Sequence, residues 1–329
     1  MSGKIELVCP AGTLPALKAA VDAGADAVYA GFRDRTNARN FPGLNFSRDE
    51  LAEGVEYAHA RGRKVFLAIN TYPPAGEFAP WRAAVDDAAR LGADAVILAD
   101  IGLLDYCTEA HPRLRRHLSV QASAANPAAI GFFHRAFGVR RVVLPRVLSV
   151  PEIAALNAAV DVETEVFAFG GMCVMAEGRC ALSGYVTGHS PNTDGVCSPA
   201  SHVRYIERGE ELVARLGDFT IDAFGRDRQA GYPTLCKGRF AALGRVSHLF
   251  EDPVSLNAME LLPALAAAGV KALKIEGRQR GRAYVQQVTS AFRAAIDAAA
   301  GAGPEHAHAL AGIAEGGRTT AGAYRKTWR

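Results

Sequence analysis

Apolar and polar positions follow one another along this chain in a block rhythm. A short β-branched or apolar run begins two or three residues after a glycine at Gly24, Gly62, Gly92, Gly138 and Gly269. Glycine ends a helix by taking the left-handed conformation, and an apolar run behind it reads as a strand buried on both faces. The stretches between carry helical patterning at 15–23, 47–60, 81–91 and 128–137. Ser47 with Glu50 three residues later is a capping-box signature. The pentapeptide Gly-Ala-Asp-Ala-Val stands at 24–28 and again at 92–96, 68 positions on. Eight runs read as strands: 5–9, 27–32, 64–70, 95–100, 117–122, 141–146, 165–169 and 272–276. Eight alternating units predict an α/β fold, a closed (β/α)8 TIM-like barrel. An open doubly wound sheet is the competing arrangement, because alternation alone does not require closure.

One unit breaks the rhythm. Residues 170–254 separate the seventh strand from a helix predicted at 256–267; they are rich in Gly, Pro, Ser and Asn and hold four of the six cysteines. A long insert at the C-terminal end of a barrel strand lies on the face where barrel chemistry sits. The expected organisation is one barrel domain over 1–329, with 170–254 as a cofactor-binding insert and 303–329 as a short helix and basic tail.

Composition narrows the class. With 329 residues, 49% hydrophobic and 22% charged, the chain is an ordinary globular protein. Its 37 Lys and Arg against 34 Asp and Glu leave a net charge of +3, too mild to argue for nucleic-acid binding. No run approaches the roughly 18 apolar residues of a membrane span. The N-terminal segment lacks a signal peptide's apolar region. Cysteines without a secretion signal point to the cytoplasm, where thiols stay reduced and serve metals or catalysis more often than disulfides.

Cys173, Cys180, Cys197 and Cys236 are separated by 6, 16 and 38 residues. Four thiols in one insert can hold zinc, an iron–sulfur cluster or two disulfides. Zinc fingers and ribbons pair their ligands as Cys-x2–4-Cys, and no such pair is present here. The wider first interval suits a larger object, such as a cubane held by four thiolates. Cys9 and Cys107 fall on a strand and an apolar helix and read as small core thiols.

The segments CPAGTLPALKAAVDAGADAVYAG, TNARNFPGLNF, SVQASAAN, RVVLPRVLS, EVFAFGGMCVMAEGRCALSGYVTGHSPNTDGVCSPA, AGYPTLCKGRF, SLNAMELLPAL and KIEGRQR carry a resemblance over nearly the whole chain. The chain resembles the collagenase-like peptidase family, and within it the branch serving oxygen-independent ubiquinone hydroxylation. That resemblance implies that Cys173, Cys180, Cys197 and Cys236 ligate a 4Fe-4S cluster. It implies a heterodimer with a UbiV-type paralogous subunit, a UbiT-type lipid-binding accessory protein and a ubiquinone precursor as substrate. Relatives that modify RNA, in prephenate-dependent tRNA and rRNA hydroxylation, tend to carry an added C-terminal domain, for which this chain is expected to leave no room.

The family's name also invites a protease reading, which the residues do not favour. There is no G-x-S-x-G elbow and no H-E-x-x-H helix, and a cluster would occupy the insert cysteines. Barrel logic places polar residues at strand ends around the mouth: Asn70, Asp100, Gln121, Ser123, Arg146, Glu276 and Arg278, with the segment 36–40 on the same face. Of these, Arg146, Glu276, Arg278, Asn70 and Gln121 are the candidate catalytic residues. The competing roles are a plain ion pair between Glu276 and Arg278 and a helix cap for Asp100. His189 and His202 flank Cys197 and are candidates to support or replace a ligand. The resulting expectation is an iron–sulfur subunit of an oxygen-independent aromatic-ring hydroxylase. RNA hydroxylation is the alternative, and a scaffold whose partner holds the catalytic centre is a third possibility.

Overall fold

The computed structural model describes residues 5–228, 230–298 and 310–325. Eight parallel strands form the barrel: β1 Glu6–Pro10, β2 Ala27–Ala30, β3 Lys64–Ile69, β4 Ala95–Leu98, β5 Arg115–Leu118, β6 Arg141–Val143, β7 Glu163–Gly171 and β8 Ala272–Ile275. Each pairs with the next in sequence, and β8 pairs with both β7 and β1. The sheet therefore closes, as the eight-unit reading predicted, and the open-sheet alternative is set aside.

Eight helices coat it: α1 Leu14–Asp22, α2 Arg48–His59, α3 Ala79–Arg90, α4 Ile101–Ala110, α5 Pro127–Phe137, α6 Val150–Ala159, α7 Leu262–Ala267 and α8 Arg282–Asp297. Side chains of Thr13, Ser47, Asp100, Asn126 and Ser149 each cap a helix start, and Ser47 and Ser149 complete capping boxes. Such caps satisfy amides that would otherwise lack partners. Between strands and helices, Leu7, Val28, Leu67, Val96, Trp81 and Phe292 form a continuous apolar layer.

The repeated pentapeptide has a mechanical role. Gly24 and Gly92 take positive φ after their helices. The Asp two residues on then accepts a main-chain amide from the preceding strand: Asp26 from Leu7 at 2.9 Å, Asp94 from Val65 at 2.7 Å. Each copy thus stitches a helix exit to the start of the neighbouring strand.

The barrel interior is mixed. Val8, Ala27, Phe66, Ala68, Ala95, Ile97 and Ala272 pack inside it. Among them Arg141 meets Glu6 at 2.5 Å, Glu163 at 2.8 Å and Glu165 at 3.2 Å. Lys274 reaches Glu165 at 2.7 Å and lies 3.7 Å over the Tyr29 ring. Burial would neutralise Glu165, but Lys274 and Arg141 hold its pKa below the usual carboxylate value. His117 is fully buried, edge-on to Phe66. Desolvation, seconded by Arg141 and Arg115, holds it neutral.

Several predicted bounds differ. The run 117–122 ends as a strand at Leu118, because Ser119 caps a 3-10 turn at Val120–Ala122. The helix predicted at 256–267 starts only at Leu262. Ser255–Asn257 instead pairs antiparallel with the end of β7, Leu256 opposite Gly170. Within 170–254 lie helices Leu182–Thr187 and Pro191–Asp194, an antiparallel sheet of Val203–Arg208, Glu211–Leu216 and Phe219–Phe224, and a hairpin of Arg239–Ala242 with Arg245–His248. Of the expected tail, 310–325 is described. It packs Leu310 fully into the core, pairs Thr319–Thr320 with Ser255–Asn257, and sends the Tyr324 hydroxyl to the Phe167 carbonyl at 2.6 Å. Among the described residues no helix is long and apolar enough to cross a membrane.

Candidate active site

The mouth is built from the ends of β2, β3, β5, β6, β7 and β8. The loop after β2 is tied down first. Asn37 donates to the Phe32 carbonyl at 2.5 Å, and its Oδ1 accepts from Arg278 at 3.1 Å. Asn70 accepts from the Ala38 amide and donates to Ser119, both at 3.0 Å, so it struts the 36–40 loop against β5. A Cβ on Gly31 would fall 2.5 Å from Arg278 Nη1, which makes glycine the residue that fits there.

This loop carries Arg39, whose Nε and Nη2 lie 3.5 Å from Glu276 Oε1. Glu276 also accepts from the Gly171 amide at 3.2 Å and from Gln279 at 3.4 Å. Burial opposes its ionisation, yet Arg39 and Arg146 together with these hydrogen bonds keep its pKa below the ordinary carboxylate value. Glu276 therefore pairs with Arg39, and Arg278 with Asn37. Burial brings the Arg278 guanidinium down to about 10.

Arg146, just past β6, stacks 4.1 Å over the Phe167 ring and faces Glu177 of the insert at 3.2 Å. Its side chain is only 8% exposed; Nε is taken up in the ion pair with Glu177, while the buried Nη1 has no hydrogen-bond acceptor. Nearby, the buried Oε1 of Gln279 and Oε2 of Glu251 are likewise without partners. Gln121 enters through its main chain: its carbonyl accepts from the Tyr72 hydroxyl at 2.7 Å and packs on Gly178, where a Cβ would come within 2.2 Å. Ser123 donates to the Glu177 carbonyl at 3.0 Å, and Arg179 lies 3.4 Å from the Tyr72 hydroxyl. The loop bearing Cys173 and Cys180 is thus fastened across the end of β5. Asp100 takes the capping role, accepting from the Leu103 amide at 2.9 Å.

All four insert cysteines come to this mouth. Burial raises the Cys197 thiol, with Arg39 opposing and Cys180 reinforcing. Burial also raises Cys236 to about 12, with Cys173 and Cys197 next in effect. Cys173 reaches solvent at the rim but lies against enough protein for desolvation to raise it; Arg146 and Arg39 act against this and Glu177 with it. Asn192 clamps Cys180 through both main-chain groups, at 3.3 and 3.1 Å. Cys180, Cys197, Cys236 and Cys173 therefore form a linked set beside Arg39 and Arg146. Among the described residues no three His, Cys, Asp or Glu side chains converge on a point the size of one ion. Zinc would gather its sulfurs about 2.3 Å from such a point. Four thiols are the donor set that an iron–sulfur cubane takes. His189 and His202 meet edge to face with ring centroids 5.4 Å apart, and Asp194 lies 3.6 Å from His189. Cys9 and Cys107 are buried core thiols.

A family model described as peptidase family U32 matches residues 12–323. The chain belongs to peptidase family U32. Among U32-type relatives, the tRNA hydroxylation protein P of Escherichia coli (strain K12) is 33% identical over 320 residues, covering 92% of this chain and 70% of that protein. The 23S rRNA 5-hydroxycytidine C2501 synthase of the same organism is 30% identical over 303 residues, covering 90% of this chain and 40% of the synthase. A solved U32 peptidase superposes with a TM-score of 0.42 at 19% identity, over 50% of this chain and 68% of its own.

Sequence reasoning had flagged the 36–40 segment but not the Arg39–Glu276 pair within it. It missed Glu177, Tyr72 and Asn192 entirely. Glu177 does lie between two of the cysteines, which was the one available signal.

Proposed function

We propose that this U32 chain is an iron–sulfur hydroxylase in which Cys173, Cys180, Cys197 and Cys236 hold a 4Fe-4S cluster over the barrel mouth. The observation that supports it best is the shared surroundings of the two halves of the site: Arg39 acts on Glu276, Cys173 and Cys197, and Arg146 on Glu276 and Cys173. Bound there, the cluster would supply electron transfer. Four protein thiolates saturate its irons, so substrate binding falls to the chain's own residues. Arg146 offers its buried Nη1, which has no acceptor, to an anionic group of the substrate or oxygen donor. Glu276, held ionised, fixes Arg39 across the opening, and Asn37 fixes Arg278 beside it. The insert fastened over β5 limits the entry of water.

For the substrate, relatives named for tRNA and rRNA hydroxylation favour RNA, against one relative named a collagenase and one named an uncharacterized protease. A second reading is favoured by the likeness of the cysteine insert to the ubiquinone branch. There the chain would be a UbiU-type subunit, acting on a ubiquinone precursor with a UbiV-type partner and a UbiT-type carrier. One experiment separates them: delete the gene in a strain without a second copy, grow it without oxygen, and quantify ubiquinone and hydroxylated tRNA and rRNA nucleosides by mass spectrometry. Loss of hydroxylated nucleosides with normal ubiquinone supports the first. Loss of ubiquinone with an under-hydroxylated precursor supports the second. If both pools are normal, the hydroxylase reading fails.

A further inference from the structure

The C-terminal segment reaches the cysteine site through one side chain. Glu315 forms an ion pair with Lys237, the residue directly after Cys236. Its other oxygen takes Arg280 at 3.1 Å, in the loop after β8 that also carries Glu276 and Arg278. That same oxygen lies 3.1 Å from where a Cβ on Gly171 would sit, two residues before Cys173. The main chain fixes Glu315 in turn. Its amide donates to Ser255 at 2.9 Å, and Gly316, at φ 59°, runs so close to Pro253 that a Cβ would fall 2.4 Å from the carbonyl oxygen. One carboxylate, only 21% exposed, thus joins the C-terminal segment, the Cys236 turn and the loop bearing the mouth's charged residues.

We propose that Glu315 is a positioning residue that clamps the Cys236 turn against the β8 loop, so that the C-terminal segment sets where the fourth thiol stands. The purpose of the clamp rests on the cluster reading; the clamp itself consists only of this chain's residues. The Cys236 turn is a single 3-10 turn, Leu235–Lys237, beyond the barrel strands. Glu251 holds it on the other side, its amide donating to the Cys236 carbonyl at 3.1 Å. A turn this short has few restraints of its own, and removing one lowers the free energy of local opening without unfolding the barrel.

The test uses metal-free full-length protein and iodoacetamide, with alkylation of Cys236 and Cys180 followed separately by mass spectrometry. Glu315→Gln keeps the shape but removes the charge. It is expected to speed Cys236 alkylation roughly five-fold or more, the scale of one half-exposed charge-assisted hydrogen bond, and to leave Cys180 unchanged. Lys237→Met should reproduce the effect and Lys237→Arg should restore the wild-type rate. Arg325→Ala, which breaks an exposed pair with Glu260 on the same segment, should have no effect. Wild-type Cys236 rates in both Glu315→Gln and Lys237→Met overturn the proposal. So does equal acceleration at Cys180, which reports general loosening. Anaerobically purified protein is assayed in parallel for iron and its loss to EDTA, expected to be faster in Glu315→Gln. If the wild type carries no iron, the cluster reading fails, and the alkylation rates still decide on the clamp.

Discussion

Replacing Arg141 by Met removes the hub of the barrel's interior charge group while keeping most of its volume. The cost can be apportioned among its three carboxylates. Glu163 is 38% exposed and keeps Arg115 at 2.7 Å; Glu6 keeps Lys64 at 3.5 Å. The part-exposed Glu163 pair is worth about 0–1 kcal/mol, and Glu6, 14% exposed, is left balanced by Lys64. Glu165 is different. It is 1% exposed and would retain only Lys274 to balance it. Breaking a buried pair costs about 3–5 kcal/mol, because the remaining charge stays desolvated. Unfolding entropy of about 2.1 cal/mol/K per residue gives roughly 0.7 kcal/mol/K for 329 residues, so melting should fall by about 4–7 °C. The assay is thermal unfolding followed by circular dichroism at neutral pH, with urea titration alongside. Arg141→Met/Glu165→Gln should recover a large part of the loss, and Arg115→Met should shift melting by about 1 °C or less. If Arg141→Met melts within about 1 °C of wild type, the interior group is not under electrostatic tension and the apportionment is wrong.

Other outcomes follow from residues already placed. Cys180→Ala should lower iron content and activity together while circular dichroism stays barrel-like, since the insert lies outside the eight strands. Arg146→Ala should keep iron near the wild-type amount yet cut hydroxylation about 100-fold, as expected when a charge that positions a ligand is removed; full activity would place the chemistry elsewhere. For pH, desolvation keeps folded His117 well below 6.5, so the unfolded chain binds the proton first and stability is lost as pH falls through about 6.5. The loss is up to about 1.4 kcal/mol per pH unit; urea titrations at several pH values should show a shallower slope in His117→Gln. Leu243, 99% exposed at φ 51° beside Gly244 in the hairpin turn, has a conformation that suits Asn better; Leu243→Asn should raise stability by about 1 kcal/mol in urea titration.

The barrel was legible because its signal is local. A glycine after each helix and an apolar run behind it mark a strand with no knowledge of its neighbours. Boundaries failed where a residue's role depends on a distant partner. Ser119 sits in an apolar run like a strand residue, but its hydroxyl caps a turn and accepts from Asn70. Leu256 opens an apolar stretch that reads as helix, yet the main chain there pairs with Gly170, exposed by the strand-edge glycines. The cysteines were visible by type and spacing. Arg39 and Glu276 were not visible as a pair, being 237 positions apart and joined only by barrel closure. Glu177 had only its place between two cysteines to mark it, because its significance is the Arg146 it meets.

The filled barrel interior has a kinetic consequence. Among the described residues Phe66, His117, Arg141, Glu165 and Lys274 fill the lumen, so a ligand at the mouth approaches from the strands' C-terminal side. On the proposed hydroxylase reading, a ligand seated toward Arg278 and Tyr29 would lie beneath a second ligand held nearer the rim. Binding would then follow a compulsory order, and a dead-end analogue of the outer ligand should trap the inner one rather than compete with it.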